Sequence, residues 1–332
     1  MVQISYLGFY HTAWMPRRLS IPPHLLASPF TYADARAAGV SAGQLRSRRL
    51  QHPFRGVRTL DLDLSATLDL CRAYAPRMPE GAVFSHTAAA RLHEMPLPRD
   101  CESALHVTVP VGRRAPRGRG IVGHQQRTEV GDLAMLHGLA VAAPAATWTQ
   151  LSELLRIEDL IAVGEHIITG NPYERRLPLA SIDELRAAAE RRLHGAGHRA
   201  RMTALREMRE GAFSRPETLV RLLLTRCGAP DPIINGDVLG ARGEFIAMPD
   251  LHWPEFRVAL EYLGDHHRDQ KQFRADVARL EKLIDEGWLV VQVTAAELFG
   301  NPRVIVERVE RRLRSRGWSD RIHLPRIAAM QP

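Results

Sequence analysis

The chain has 332 residues, 45% hydrophobic and 25% charged, which suits a folded protein of two or three domains and excludes a disordered one. Lys and Arg number 45 against 37 Asp and Glu, a formal charge of +8 carried mostly by arginine, which favours a polyanionic partner such as duplex DNA, RNA or an acidic membrane surface. Three scattered cysteines, Cys71, Cys101 and Cys227, form no CxxC pair, so a zinc ribbon, a redox motif and a disulfide framework are all disfavoured and a reducing cytoplasm is expected.

No apolar run approaches the roughly 20 residues that span a bilayer, so no membrane partner is expected. The start, MVQISYLGFYHTAWMPRR, lacks the charged and apolar regions of a secretory signal. Met15 is as good a beginning as Met1, and residues 1–29 read as a disordered extension or the result of a misplaced start.

The first organised stretch is 30–61. Thr31 can cap a short helix over 32–38, Gly39 supplies a turn, and Ser41 can cap a second helix through Arg49. Residues 50–60 could form a short wing. This is a winged helix-turn-helix pattern, whose second helix would offer Gln44, Arg46, Arg48 and Arg49 to base edges and phosphates. The plainer alternative is a small helical pair with a solvated basic face.

A mixed α/β region is expected over 62–210. Ser85 can cap a helix ending at Leu92, and alternation with β-branched residues predicts a strand over 104–111. The loop GRRAPRGRGIVGH follows, with Arg113 and Arg114 as candidate phosphate contacts. Its formal GxGxxG at Gly118, Gly120 and Gly123 opens no helix, so a dinucleotide site is not read there. A basic hairpin touching phosphate and a solvated loop stay open as readings. Apolar spacing then predicts a helical run over 148–168, a helix opened by Ser181 or Asp183, and another over 200–210. His194 and His198 stand four apart, but the intervening glycines spoil helical geometry, so both read as surface residues.

From Ser214 the pattern sharpens. Ser214-Arg-Pro-Glu217 is a capping box opening a helix. Strands are predicted over 233–238, 243–251 and 256–263, then a helix over 271–286, a strand over 288–294 and a helix over 302–314. The segment 211–332 thus reads as an α-β-β-β-α-β-α core within an α+β protein. A turn centred on Pro254-Glu255 would set Asp250 opposite Ala259 and Met248 opposite Glu261. Asp250 and Glu261 would then share one sheet face as diagonal neighbours, with Val258, Leu260 and Tyr262 turned to the core. Glu217 could approach the same spot. Hard carboxylate oxygens suit Mg²⁺ or Mn²⁺, which would stabilise charge at a phosphoryl group and acidify a water for attack.

The stretch PDLHWPEFRVALEYLGDHHRD, continuing through FRADVARLEKLIDEGWLVVQVT, resembles the very-short-patch-repair-endonuclease-like branch of the PD-(D/E)xK superfamily. In particular it is similar to a group of uncharacterised actinobacterial proteins with this domain at the C-terminus, over residues 213–318. The resemblance implies a restriction-endonuclease-like fold, Asp250 and Glu261 as metal ligands and Glu217 as the helical acid. His266 or His267 would act in proton transfer or phosphate contact, and Arg268 in DNA contact. Arg268, Arg274 and Arg279 also fit a solvated helix face. Residues 32–58, with SHTAAARLHEMPLP and TVPVGRR, are similar to the AbiEi-type antitoxin and regulator family, which implies a winged-helix N-terminus and a toxin–antitoxin-type partner. One departure stands out: Leu263 occupies the place where the superfamily has lysine and the nearer relatives aspartate. His266, His267, Lys271, Lys282 and Gln292 are the candidate replacements, His267 first. Two functions follow, a Mg²⁺-dependent DNA endonuclease or a non-catalytic DNA-binding regulator with a degenerate nuclease fold. The third option is a structural or protein-interaction module.

Overall fold

The computed structural model describes residues 21–323 except 102, 128, 130, 194 and 265–279. The chain divides into two compact units, 1–78 and 79–332. It is a mixed α+β protein, and no helix of the described residues is long and apolar enough to cross a membrane.

The first unit contains helix α1 (Pro23–Leu26), strand β1 (Phe30–Thr31), helix α2 (Tyr32–Ala37), a 3-10 turn at Gln44–Arg46, strand β2 (Val57–Arg58) and helix α3 (Thr67–Tyr74). Ile21, Leu25, Phe30, Ala35, Val40, Leu45 and Leu50 form its core. The Thr31 side chain accepts from the Asp34 N–H and fixes the start of α2. β1 and β2 pair antiparallel, and a Gln51–Thr59 bridge extends the ribbon. The expected second helix is different. Ser41 and Gln44 exchange side-chain-to-backbone bonds at 3.3 and 2.9 Å, but only one 3-10 turn follows. Ser47 then turns extended and its hydroxyl accepts the Arg49 N–H, which takes the backbone off the helical path.

The second unit opens with strand β3 (Val83–Phe84), helix α4 (His86–Leu92) and strands β4 (Leu105–Pro110), β5 (Ile121–Gln126), β6 (Leu133–Leu136) and β7 (Leu139–Ala142). These strands form one five-stranded sheet in the order β5-β4-β3-β7-β6. The basic loop is not a hairpin, because β4 and β5 run parallel and residues 111–120 cross between them. Gly123 shows why the loop lies where it does. A Cβ there would sit 2.0 Å from the Pro116 carbonyl oxygen, so this glycine admits close backbone passage rather than a phosphate. The predicted run over 148–168 divides into α5 (Pro144–Leu151) and α6 (Ile157–Ile168), followed by α7 (Ile182–Glu190) and α8 (His198–Glu207). Trp148 is fully buried and its indole N–H reaches the Leu160 carbonyl at 3.0 Å.

Helix α9 (Arg215–Arg226) joins two cores. Leu222 packs with Trp148, Leu160 and Ile161, whereas Leu219, Val220, Leu223 and Leu224 pack into the C-terminal core. Two buried ion pairs fasten α9 to α6: Arg215 with Asp159 at 2.8 Å, and Arg221 with Glu165. After α9 come strands β8 (Ile233–Ile234), β9 (Val238–Leu239), β10 (Phe245–Ala247), β11 (Leu251–Trp253) and β12 (Val258–Leu263). Then follow a helical stretch at 280–285 (α10), strand β13 (Leu289–Thr294) and helices α11 (Ala295–Gly300) and α12 (Pro302–Arg314). The sheet order is β13-β12-β11-β8, with β12 and β13 parallel and the other pairs antiparallel. The first two strands expected here are each interrupted, and β9 pairs with β10 apart from the main sheet. Asn235 takes a left-handed φ of 45°, and a Cβ on Gly236 would lie 2.4 Å from Ile233, so the chain turns sharply out of β8.

Candidate active site

The hairpin of β11 and β12 places the two carboxylates. Its observed pairs are Leu251 with Leu260, His252 with Ala259 and Trp253 with Val258. The next pair outward is therefore Asp250 with Glu261, directly opposed rather than diagonal, a shift of two residues from the expected register. The cause is the turn, a 3-10 segment Pro254–Phe256 closed by Arg257 in the left-handed region at φ 49°. Four residues, not two, make the connection.

Leu251, Trp253, Val258 and Leu260 all enter the core, so Asp250 and Glu261 lie on the opposite face. Directly opposed side chains stand about 4.5–5.5 Å apart at Cβ, close enough for both carboxylates to reach one cation. Both residues are half-buried. One Asp250 oxygen accepts the Tyr262 N–H at 2.6 Å, which holds that carboxylate against the hairpin. On the other side of β12, the parallel register sets exposed Gln292 beside Glu261. Asp250, Glu261 and Gln292 thus occupy neighbouring positions across three strands.

Glu217 is buried in the first turn of α9. Its Oε2 accepts the Phe213 N–H at 2.8 Å and the Asn235 side-chain amide at 2.7 Å. Burial pushes this carboxyl above its ordinary range, opposed by hydrogen bonds from Ser214, Asn235 and Phe213. Asn235 also donates its backbone N–H to the Asp250 carbonyl at 3.0 Å, so it ties Glu217 to the mouth of β11. Among the described residues, one set of three His, Cys, Asp or Glu ligand atoms lies mutually within 4.8 Å, and it comprises His86, His106 and His124. Glu217, Asp250 and Glu261 form no such set. His266, His267, Arg268 and Lys271 lie outside the described residues, as do Arg274 and Arg279. Leu263 ends β12 opposite Thr294, and Lys282 is exposed on α10.

The candidate DNA contacts divide by role. Arg46, Arg48 and Arg49 are exposed around the 3-10 turn, while Gln44 is half-buried and uses its side-chain carbonyl on Ser41. Arg113 and Arg114 are exposed on the crossover loop, where Arg113 pairs with Glu80 at 3.3 Å. His198 is half-buried, and His194 lies outside the described residues. Sequence reasoning missed Asn235 and the three clustered histidines. Asn235 in an Asn-Gly step is a turn signal, but nothing local discloses its link to Glu217. Ser85 does not cap α4 through its side chain as expected; its hydroxyl meets His86 and Thr108 instead.

No protein-family model matches the chain. It is 28% identical over 216 residues to "Uncharacterized protein MT2308" and to "Uncharacterized protein Rv2248", from two strains of Mycobacterium tuberculosis, spanning 63% of this chain and 74% of each relative. The crystal structure of the RV2827C protein from Mycobacterium tuberculosis aligns with a TM-score of 0.36 at 16% identity, covering 55% of this chain and 74% of that one.

Proposed function

We propose that residues 211–332 form a Mg²⁺- or Mn²⁺-dependent DNA endonuclease domain, with residues 30–61 contributing DNA binding. The observation that carries this reading is the direct opposition of Asp250 and Glu261 on the non-core face of a mixed sheet. Two half-buried carboxylates offer hard oxygen donors, which suits a small divalent cation. A bound ion would supply charge stabilisation to the phosphoryl oxygens and acidify the attacking water. Within the chain, the Tyr262 N–H and the Asn235 N–H orient Asp250, and Gln292 offers an amide beside Glu261. The resemblance to very-short-patch-repair-like nucleases supports the assignment, and it implies His266 or His267 for proton transfer or phosphate contact. Exposed Arg46, Arg48 and Arg49 in the first unit, with Arg113 and Arg114 in the second, would serve phosphate contact.

Leu263 supports a second reading, a DNA-binding regulator of antitoxin type that no longer cuts. The superfamily's strand cation is replaced by an apolar side chain, and Glu217 is already engaged with Phe213 and Asn235. Cleavage of duplex, mismatched and single-stranded DNA with Mg²⁺ or Mn²⁺ separates the two. Asp250→Ala and Glu261→Ala should each abolish cutting while circular dichroism stays unchanged. Cutting that survives both substitutions removes this site from consideration. A wild-type chain that binds DNA in a salt-dependent way and never cuts establishes the regulator reading.

A further inference from the structure

We propose that His86, His106 and His124 bind a zinc-class divalent transition metal, independently of the carboxylate site. The three residues come from adjacent elements of the five-stranded sheet. His86 follows β3 at the start of α4, His106 lies on β4 and His124 on β5. Antiparallel β3–β4 and parallel β4–β5 pairing bring them together although 20 and 18 positions separate them in sequence.

One donor atom from each residue lies within 4.8 Å of the other two. His106 Nδ1 and His124 Nε2 are 2.9 Å apart. A tetrahedral ion with metal–nitrogen bonds of about 2.0–2.1 Å separates its ligand nitrogens by about 3.3 Å, so the His106–His124 pair needs to open by only a few tenths of an ångström. His86 Nδ1 meets the Ser85 hydroxyl at 3.0 Å, and Ser85 receives the Thr108 hydroxyl at 2.8 Å. That leaves His86 Nε2 for an ion and supplies the outer hydrogen bond that orients a ligating imidazole. The His86 and His124 rings stack with centroids 3.8 Å apart, so one of them must rotate out of the stack for both nitrogens to face one ion.

Two further observations point the same way. His106 is 2% exposed, so its ring is fixed in the interior with Nδ1 toward His124. His86 holds a left-handed φ of 49°, a strained conformation for a side-chain-bearing residue, of the kind that clusters at functional sites. Imidazole nitrogens suit Zn²⁺, Co²⁺, Ni²⁺ or Cu²⁺ and not the Mg²⁺ of the carboxylate site.

Beside the cluster, a cavity of about 260 Å³ is lined by His86, His124, Gln150, Glu153, Arg192 and Arg201. Arg201 is 1% exposed and bonds the Ser152 hydroxyl and the carbonyls of Ala196 and Arg192. An ion with three protein ligands and one open position here would face that cavity, whose Arg192, Arg201 and Glu153 offer charges of both signs to a fourth ligand.

The test uses the full chain, stripped with a chelator and titrated with Co²⁺. One equivalent should give the visible d–d spectrum of a nitrogen-ligated four-coordinate ion, and Zn²⁺ should displace it. Losing an outer-shell partner costs about 10–100-fold in affinity, so losing a ligand in His106→Gln or His124→Gln should cost at least that. Asp250→Ala/Glu261→Ala should keep the spectrum, which separates this site from the proposed nuclease centre. If His106→Gln fails to fold, half-buried His124 decides the question. A folded wild-type chain with no stoichiometric Co²⁺ binding, or binding that both histidine variants retain, overturns the proposal.

Discussion

The Asn235 side-chain amide donates to the buried Glu217 carboxylate at 2.7 Å while its backbone N–H holds the Asp250 carbonyl at 3.0 Å. One residue in left-handed conformation therefore connects the first turn of α9 to the mouth of β11. The same amide donates to the Gly211 carbonyl at 2.8 Å, so three chain segments meet on it.

Replacing Asn235 isolates that connection. Asn235→Gly keeps the positive φ and removes the amide, which leaves Glu217 short of a donor in a buried place. An unsatisfied buried group costs about 1–3 kcal/mol, so urea unfolding should show a loss of that size. Glu217→Gln in the Asn235→Gly background should recover part of it, since a neutral amide is cheaper to bury than an under-bonded carboxylate. Equal stability of Asn235→Gly and wild type would show that the contact contributes nothing.

The parts legible in the sequence are those fixed by local chemistry. Ser214 caps α9 by accepting the Glu217 N–H, Ser181 and Glu184 form a capping box, and α12 spans Pro302–Arg314 as its proline and apolar spacing predict. The shared face of Asp250 and Glu261 is also readable, since it needs only strand alternation. Their register is not, because Arg257 adopts a left-handed conformation that no local residue preference announces. The crossover at 111–120 is hidden for another reason. Gly123 is required by Pro116, a contact created only when β4 and β5 run parallel. The histidine cluster depends on the same strand adjacency and has no spacing signature.

The buried pair of Arg221 and Glu165 leads to a second prediction. Glu165 is fully buried and also accepts the Thr218 hydroxyl at 2.6 Å and the Arg209 N–H at 2.8 Å. Burial pushes its carboxyl above the ordinary range, and Arg221 pulls it back. Arg221→Ala removes the compensating charge and should destabilise the fold by about 3–5 kcal/mol in denaturant titrations. The double variant Glu165→Leu/Arg221→Leu should lie well above the single one, because it buries no unpaired charge. A double variant as unstable as the single variant would mean that packing, rather than charge, sets the cost.

The clustered histidines give a third prediction, in the pH dependence of stability. Burial and mutual repulsion hold His86 at about 2 and His106 at about 4 in the folded chain, against an ordinary value of 6.5. Burial also lowers His124. Between pH 6.5 and 4 the unfolded chain therefore binds more protons than the folded one, and stability falls as pH falls. The slope is about 1.4 kcal/mol per pH unit for each imidazole that protonates only on unfolding. His166, also held at about 4 by burial and then by Arg176, adds its own share from outside the cluster. The difference between variants resolves the two. His106→Gln and His166→Gln should each flatten the acid limb of the stability curve measured by urea unfolding. Only His106→Gln should also abolish the Zn²⁺-dependent rise in melting temperature at about pH 7.5, where a neutral imidazole is free to ligate. Should neither substitution change the slope, these rings are already protonated in the folded state, and a neutral metal-ready cluster is not what the sheet builds.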